Sequence, residues 1–241
     1  MTVTGQVDVI GDTHGNNRSI IDWIKNSSAS TLIHVGDIGA GFRSYETELV
    51  RLGDLLDKGG KTVLSIRGNH DDPSYFDDRI YGGSYGGVKL VKDGTILNWY
   101  NSNDYSSKTY PRTILLNGGA VSIDRLLRVE GQSYWSDEGF VEVETSGISI
   151  NHIITHTAPR AVSLMAGSNS FLKSFFDRDP FLKKDLLTES QQVQTWIDNI
   201  IDKQQEPPSS WFYGHFHQSL TTDYRGIQCR MLNIEEITTL I

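Results

Sequence analysis

Seven residues able to bind divalent metals stand in five short motifs in chain order: Gly11-Asp12-Thr13-His14, Gly36-Asp37, Gly68-Asn69-His70-Asp71, Thr155-His156 and Gly214-His215-Phe216-His217. They offer two carboxylates (Asp12, Asp37), one amide oxygen (Asn69) and four imidazoles (His14, His156, His215, His217), with His70 as a further imidazole. Carboxylate and imidazole donors suit borderline divalent ions such as Mn, Fe, Co, Ni or Zn. Asp12 and His14, one residue apart, can reach the same ion from one loop, and His215-x-His217 points two imidazoles the same way along an extended segment. A single carboxylate such as Asp37 can bridge two ions about 3.5–4 Å apart. Such a pair lowers the pKa of a shared water and clamps phosphate oxygens during in-line displacement, so the nucleophile would be a hydroxide and not a side chain. Any one of the motifs is weak, since a lone Gly-Asp or His-x-His arises by chance as a turn or surface pair. Their weight comes from their number and from where they fall.

The elements that must position them are legible from periodicity. Val7–Ile10 reads as a buried strand ending at Gly11-Asp12, and residues 17–26 carry Ile20, Ile21 and Ile24 at helical spacing. Thr31–Val35 is a second strand, ending at Gly36-Asp37. A helix from about Ser44 to Lys58 follows, with Leu49, Leu52, Leu55 and Leu56 on one face and Gly59-Gly60 as its stop. Lys61–Ile66 is a third strand, leading into Arg67-Gly68-Asn69-His70. This β-α-β-α-β order predicts a parallel sheet with right-handed crossovers. Each motif then lies just beyond a strand's carboxyl end, where open α/β sheets place their ligands.

Further along, strands are expected at Thr113–Leu116, Gly147–Ile154, Ser210–Tyr213, near Thr221–Tyr224 and at Ile227–Ile234. A helix is expected from Thr188 to Gln204, with Val193, Trp196, Ile197, Ile200 and Ile201 on one face. The segment 73–111 holds six of the ten tyrosines (Tyr75, Tyr81, Tyr85, Tyr100, Tyr105, Tyr110) and Trp99. It reads as an aromatic, Gly-rich insertion in a single domain spanning 1–241. Its rings either pack a small β-rich extension of the core or line a cleft. The stretch Ala166–Pro180 reads as a packing helix, with a cleft rim or lid as the alternative.

The five motifs in this order resemble the calcineurin-like metallophosphoesterase superfamily, whose pattern runs D-x-H, G-D, G-N-H-[DE], H and G-H-x-H. The resemblance extends from Val7 to about His217, with every ligand position filled. It implies a four-layer α/β/β/α sandwich of two mixed sheets. It also implies one metal held by Asp12, His14, Asp37 and His217 and a second held by Asp37, Asn69, His156 and His215, with manganese the leading candidate. His70 matches the superfamily's histidine that protonates the leaving oxygen, with Asp71 expected to orient it. The implied activity is hydrolysis of phosphomonoesters or small phosphodiesters by attack of a metal-bridging hydroxide. A nuclease or cyclic-nucleotide phosphodiesterase is the alternative. A serine/threonine protein phosphatase fits less well, because Gly36-Asp37-Ile38-Gly39-Ala40 lacks the Asp-Arg-Gly of that branch. A non-catalytic scaffold fits poorly, because no ligand is missing.

The segment Gly118-Gly119-Ala120-Val121-Ser122-Ile123-Asp124-Arg125, with Arg128, Gly131 and Trp135 beyond, is similar to one in bacterial and phage members. Arg125 or Arg128 could offer a guanidinium to phosphate, or each could simply pair with an acid such as Asp124 or Glu130. His34 and His152 read as core histidines and Arg67 as structural. Among 241 residues, 37% are hydrophobic and the net charge is −8. That charge weighs against tight nonspecific nucleic-acid binding and leaves nucleic acid only as a substrate. The lone Cys229 excludes an intrachain disulfide or thiolate metal site and fits a reducing compartment. With no recognisable leader or membrane span, a cytoplasmic location without a membrane partner is expected.

Overall fold

The computed structural model describes residues 1–77, 83–101, 111–162 and 170–240. In chain order its strands are β1 (Thr2–Thr4), β2 (Val7–Ile10), β3 (Thr31–His34), β4 (Thr62–Ser65), β5 (Ser84–Tyr85), β6 (Val88–Leu90), β7 (Thr95–Tyr100), β8 (Arg112–Asn117), β9 (His152–Thr155), β10 (Ser210–Tyr213), β11 (Leu220–Tyr224), β12 (Ile227–Met231) and β13 (Ile237–Thr239). The helices are α1 (Arg18–Asn26), α2 (Glu46–Gly59), α3 (Ser170–Arg178) and α4 (Leu182–Asp202).

The strands form two mixed sheets. The first runs β13-β2-β3-β4-β6-β5 and the second β1-β7-β8-β9-β10-β12-β11. In the first, β2, β3, β4 and β6 are parallel, with Ile10 beside His34 and His34 beside Ser65. That register brings the carboxyl ends of three strands level. In the second, β8, β9 and β10 are parallel, with Asn117 beside Thr155 and Thr155 beside Tyr213.

Three apolar layers explain the stacking. Between the sheets lie Val7, Val9, Ile33, Val35, Leu64 and Ile66 from the first and Leu97, Trp99, Ile114, Leu116, Ile154 and Phe212 from the second. On the outer face of the first sheet, Ile20 and Trp23 of α1 and Leu49, Leu52 and Leu56 of α2 cover Ile10, Leu32 and Val63. Outside the second, Val193, Trp196, Ile197 and Ile200 of α4 cover Leu115, Ile153, Trp211 and Tyr213. Each such side chain contributes about 1.5–3 kcal/mol on burial. The result is the four-layer α/β/β/α sandwich.

Several boundaries differ from expectation. Helix α4 begins at Leu182 instead of Thr188, because Leu182 and Leu186 extend the same buried face. Strand β9 begins at His152 instead of Gly147. Strands β1 and β13 are too short to show a period in the sequence, and β13 pairs antiparallel to β2. Segment 73–111 supplies β5 and β6 to the first sheet and β7 to the second. Tyr75 and Tyr85 pack partly buried against the α1/α2 layer, and Trp99 is fully buried between the sheets. Tyr81, Tyr105, Tyr110, residues 166–169 and the Phe171 side chain lie outside the described residues.

Candidate metal centre

The motif loops meet where the carboxyl ends of the two sheets face each other. Asp12 and His14 follow β2, Asp37 follows β3, and Asn69 and His70 follow β4; His156 follows β9, and His215 and His217 follow β10. Six non-glycine residues among those described have positive φ, and four of them are His14 (47°), Asp37 (62°), His215 (65°) and His217 (51°). Holding such residues there costs on the order of 1–3 kcal/mol each, and that strain marks a functional site. The motif glycines have a steric reason: a Cβ at Gly68 would strike the Asp37 carboxylate and one at Gly214 the Asp12 carboxylate.

Two groups of donor atoms result. Asp12, His14, Asp37 and His217 each place one ligand atom within 4.8 Å of the others. Within this group His14 Nε2 lies 3.0 Å from His217 Nε2, and His217 Nε2 lies 3.1 Å from Asp12 Oδ2. Beside it, Asn69 Oδ1 sits 3.0 Å from His156 Nε2 and 2.9 Å from His215 Nδ1. Asp37 stands between the groups, with Oδ2 3.8 Å from His14 Nδ1 and Oδ1 3.4 Å from His156 Nε2.

The field at this point is strongly negative. Asp12, Asp37 and His156 are fully enclosed. Burial, the largest single influence, would raise both carboxyls, but the positive charge of His156 together with the hydrogen bonds and charges of the histidines around them outweighs it and both are lowered. Burial would likewise lower His156, yet Asp37 and Asp12 hold it up to about 10. Two buried carboxylates thus draw a positive charge into the site, and a divalent cation meets the same demand. Carboxylate, imidazole and amide-oxygen donors converging on such a field fit a metal ion well.

The surrounding residues hold the loops. Asp71 is buried and accepts backbone N–H bonds from Asp37 (2.8 Å), Gly39 (2.7 Å), Ala40 (2.8 Å) and Gly68 (2.8 Å). The expected pairing of Asp71 with the His70 ring is therefore corrected. Asp71 knits the Asp37 and Asn69 loops together, and the ring of His70 receives its hydrogen bond from Arg128 NH2. His34 is a satisfied buried histidine, 3.1 Å from Thr13 Oγ1 and accepting from Gly36 N at 3.2 Å, so it braces two motif loops. His152 is only half satisfied: Nδ1 meets Ser210 Oγ at 2.8 Å, and Nε2 has no partner among the described residues. Arg67 is structural, bonding Asp93 (2.8 Å), Glu138 O (2.6 Å) and Gly139 O (2.8 Å).

The two candidate phosphate-binding arginines have different surroundings. Arg125 donates to Asp179 at 2.6 Å and to Asp185 at 2.7 Å, tying its turn to the junction of α3 and α4. A guanidinium held by two carboxylates serves the packing of this turn, and neither of these partners belongs to the donor cluster. Arg128 pairs with Asp124 at 2.6 Å but also reaches His70, at the edge of the cluster. Sequence reading passes over His34 as a brace, and over Ser122 and Glu138, which bond each other and sit behind Asn69. Ser122 lies inside the segment already singled out, whereas nothing in the local pattern marks the other two.

The pattern of the family described as calcineurin-like phosphoesterase matches residues 5–219. No curated protein matches the sequence. Among solved structures, TT1561 of Thermus thermophilus is similar, with a TM-score of 0.56, 9% identity and 98% of each chain covered. A phosphopantetheinyl hydrolase (PptH) from Mycobacterium tuberculosis aligns with a TM-score of 0.45 and 15% identity over 96% of this chain and 91% of that one. The chain therefore belongs to the calcineurin-like phosphoesterase family, hydrolases that act on phosphoesters.

Proposed function

We propose that this protein is a dinuclear metal-dependent phosphoesterase acting on phosphomonoesters or small phosphodiesters. The observation that carries the reading is the position of Asp37, whose two oxygens face two separate donor groups. One ion would be held by Asp12, His14, Asp37 and His217, the other by Asp37, Asn69, His156 and His215, with Mn²⁺ tried before Fe, Zn, Co or Ni. When bound, the ions supply a water of lowered pKa and a clamp for phosphate oxygens. The chain's own residues do the rest. Asp12 and Asp37 fix the negative field, and their buried surroundings keep bulk water from screening it. His70 is the proton donor to the leaving oxygen. Arg128 donates into His70 Nε2, so that nitrogen is the acceptor and the ring proton sits on Nδ1. Nε2 carries no proton in that state. A substrate phosphate that takes over the Arg128 guanidinium frees Nε2 to take up a proton from solvent, and that proton is the one His70 delivers to the leaving oxygen. A reducing, cytoplasmic setting accords with the single buried cysteine.

The deciding experiment is hydrolysis of an aryl phosphomonoester and the matching bis-aryl diester by metal-stripped protein, with and without Mn²⁺. Metal-dependent turnover is expected, and the ratio of the two rates assigns the ester class. No turnover with any divalent metal, despite tight metal binding, would overturn the reading. His70→Ala should slow substrates with poor leaving groups more than activated aryl phosphates. A nucleotide phosphodiesterase is the second reading. It is favoured by Phe42, whose ring lies near-parallel to that of His70 at 6.3 Å and meets Trp135 edge-on at 5.3 Å. A cyclic nucleotide and a single-stranded oligonucleotide in the same assay separate the two.

A further inference from the structure

Asn69 can serve a cation only through its oxygen, yet the two ends of a carboxamide have nearly the same shape. What the NH₂ end donates to must decide which end faces the cluster. In this structure Asn69 Nδ2 donates to Ser122 Oγ at 3.0 Å, while Oδ1 faces His156 and His215. Ser122 is fully buried on the turn that follows β8. Its hydroxyl also receives Arg128 NH1 at 3.1 Å, so both oxygen lone pairs are taken and its own proton must point elsewhere. Glu138, buried behind it, accepts the Ser122 backbone N–H at 2.7 Å.

Arg128 is fastened by more than this one bond. Its NH1 also reaches Asn69 O (3.2 Å) and Ser133 O (3.4 Å), and its NH2 reaches Asp124 (2.6 Å) and His70. Ser122 therefore cannot turn its hydroxyl away from Asn69 without giving up the charged donor Arg128. A hydroxyl with donors on both lone pairs is an acceptor toward Asn69, and an acceptor there forces the amide nitrogen outward and the oxygen inward.

We propose that Ser122 is a positioning residue that fixes the Asn69 amide with its oxygen toward the second metal position, and that Arg128 and Glu138 hold Ser122 in place. The inference rests on the two-ion reading above. It assigns a task to the Gly118–Arg128 segment. Removing the hydroxyl leaves the amide free to rotate, and the second ion is weakened while the first is not.

The test is titration of metal-stripped protein with Mn²⁺, followed by calorimetry and by the electron paramagnetic resonance signal of a coupled Mn pair. Wild type should bind two ions. Ser122→Ala should keep the first and bind the second about 10–100-fold more weakly, the range seen when a partner of a metal ligand is lost. Ser122→Thr, which keeps the hydroxyl, should restore it. Asn69→Asp supplies the control, because a carboxylate presents oxygen whichever way it turns; in that background Ser122→Ala should add no further loss. If Ser122→Ala does not fold, Ser122→Cys takes its place, keeping the volume with a much poorer acceptor. Equal weakening of both ions, unchanged binding of both, or the same loss in the Asn69→Asp background would each overturn the inference. A wild type that binds a single ion would instead overturn the two-ion reading.

Discussion

The two sheets bring different chemistry to one site. The first contributes every oxygen donor (Asp12, Asp37, Asn69) and two imidazoles (His14, His70). The second contributes imidazoles alone (His156, His215, His217) and, from the turn after β8, the side chains behind Asn69. They also differ in how they are braced. The loops of the first sheet are stitched internally: Asp71 takes four backbone amides, His34 bonds Thr13 and Gly36, and the Asp37 carboxylate accepts His70 N at 2.7 Å. The histidines of the second are held across the gap, His156 Nδ1 against Val35 O at 2.8 Å and His215 N against Asp12 Oδ2 at 2.9 Å. One side is built in advance as a negative cradle, and the other is fastened onto it. The site therefore exists only when the two sheets pack, which makes Asp37 and the inter-sheet ties the most sensitive points.

The comparison breaks most completely at Asp37, the residue that both sides share. Asp37→Asn should lower kcat/KM by more than about a hundredfold, since even partners of metal ligands cost about 10–100-fold. An aryl phosphate assay at saturating Mn²⁺ checks this, and retention of the wild-type rate would contradict a bridging role. Next is Arg67, which spans the two sides by joining the residue before Gly68 to Asp93 and to the carbonyls of Glu138 and Gly139. Arg67→Ala removes the charged partner of Asp93 and the side-chain donor to Gly139 O, and should cost about 1–3 kcal/mol in urea unfolding.

A pH effect sharpens the picture on the second side. Burial pushes the Glu138 carboxyl up to about 7, above the unfolded value of about 4.3. The folded state thus holds that proton more tightly. The stability it brings is complete below the unfolded value and is lost as pH rises through about 7. Glu138→Gln should flatten the pH dependence of the unfolding midpoint between these values, measured on metal-free protein. A parallel decline in variant and wild type would show that Glu138 is not its source. The smallest effect belongs to Arg125. Arg125→Ala should lower stability by about 1 kcal/mol, as partly exposed ion pairs do, and leave turnover within about twofold. Arg128→Ala should slow turnover far more.

Much of this was legible because the ligand motifs are local and the strands before them are short, apolar and cleanly bounded. Val7–Ile10 and Ser210–Tyr213 appear in the structure with the boundaries read from sequence, since each is a buried run closed by Gly11 or Gly214. What escaped has a physical cause in each case. Strands β1 and β13 span three residues each, too few to show alternation, and are strands because a neighbour's edge was open. Asp71 stands beside His70 in sequence, so orienting it was the natural reading. The left-handed turn at Asp37 instead brings backbone amides to that carboxylate. Arg125 and Arg128 are indistinguishable as residue types three positions apart. A short 3₁₀ turn at Arg125–Leu127 separates them, sending one to Asp179 and the other to His70.

The sequence by itself determined which atoms can bind metal and that strand ends would carry them, because residue chemistry and strand periodicity are properties of short stretches. The tertiary structure alone decided how those atoms are divided. It set Asp37 between two donor groups, turned Asn69 by its oxygen toward the imidazoles, and sent Arg128 to His70 and Arg125 to Asp179. Those choices depend on the separation and register of two sheets packed through a shared apolar layer, and no single stretch of chain encodes that distance.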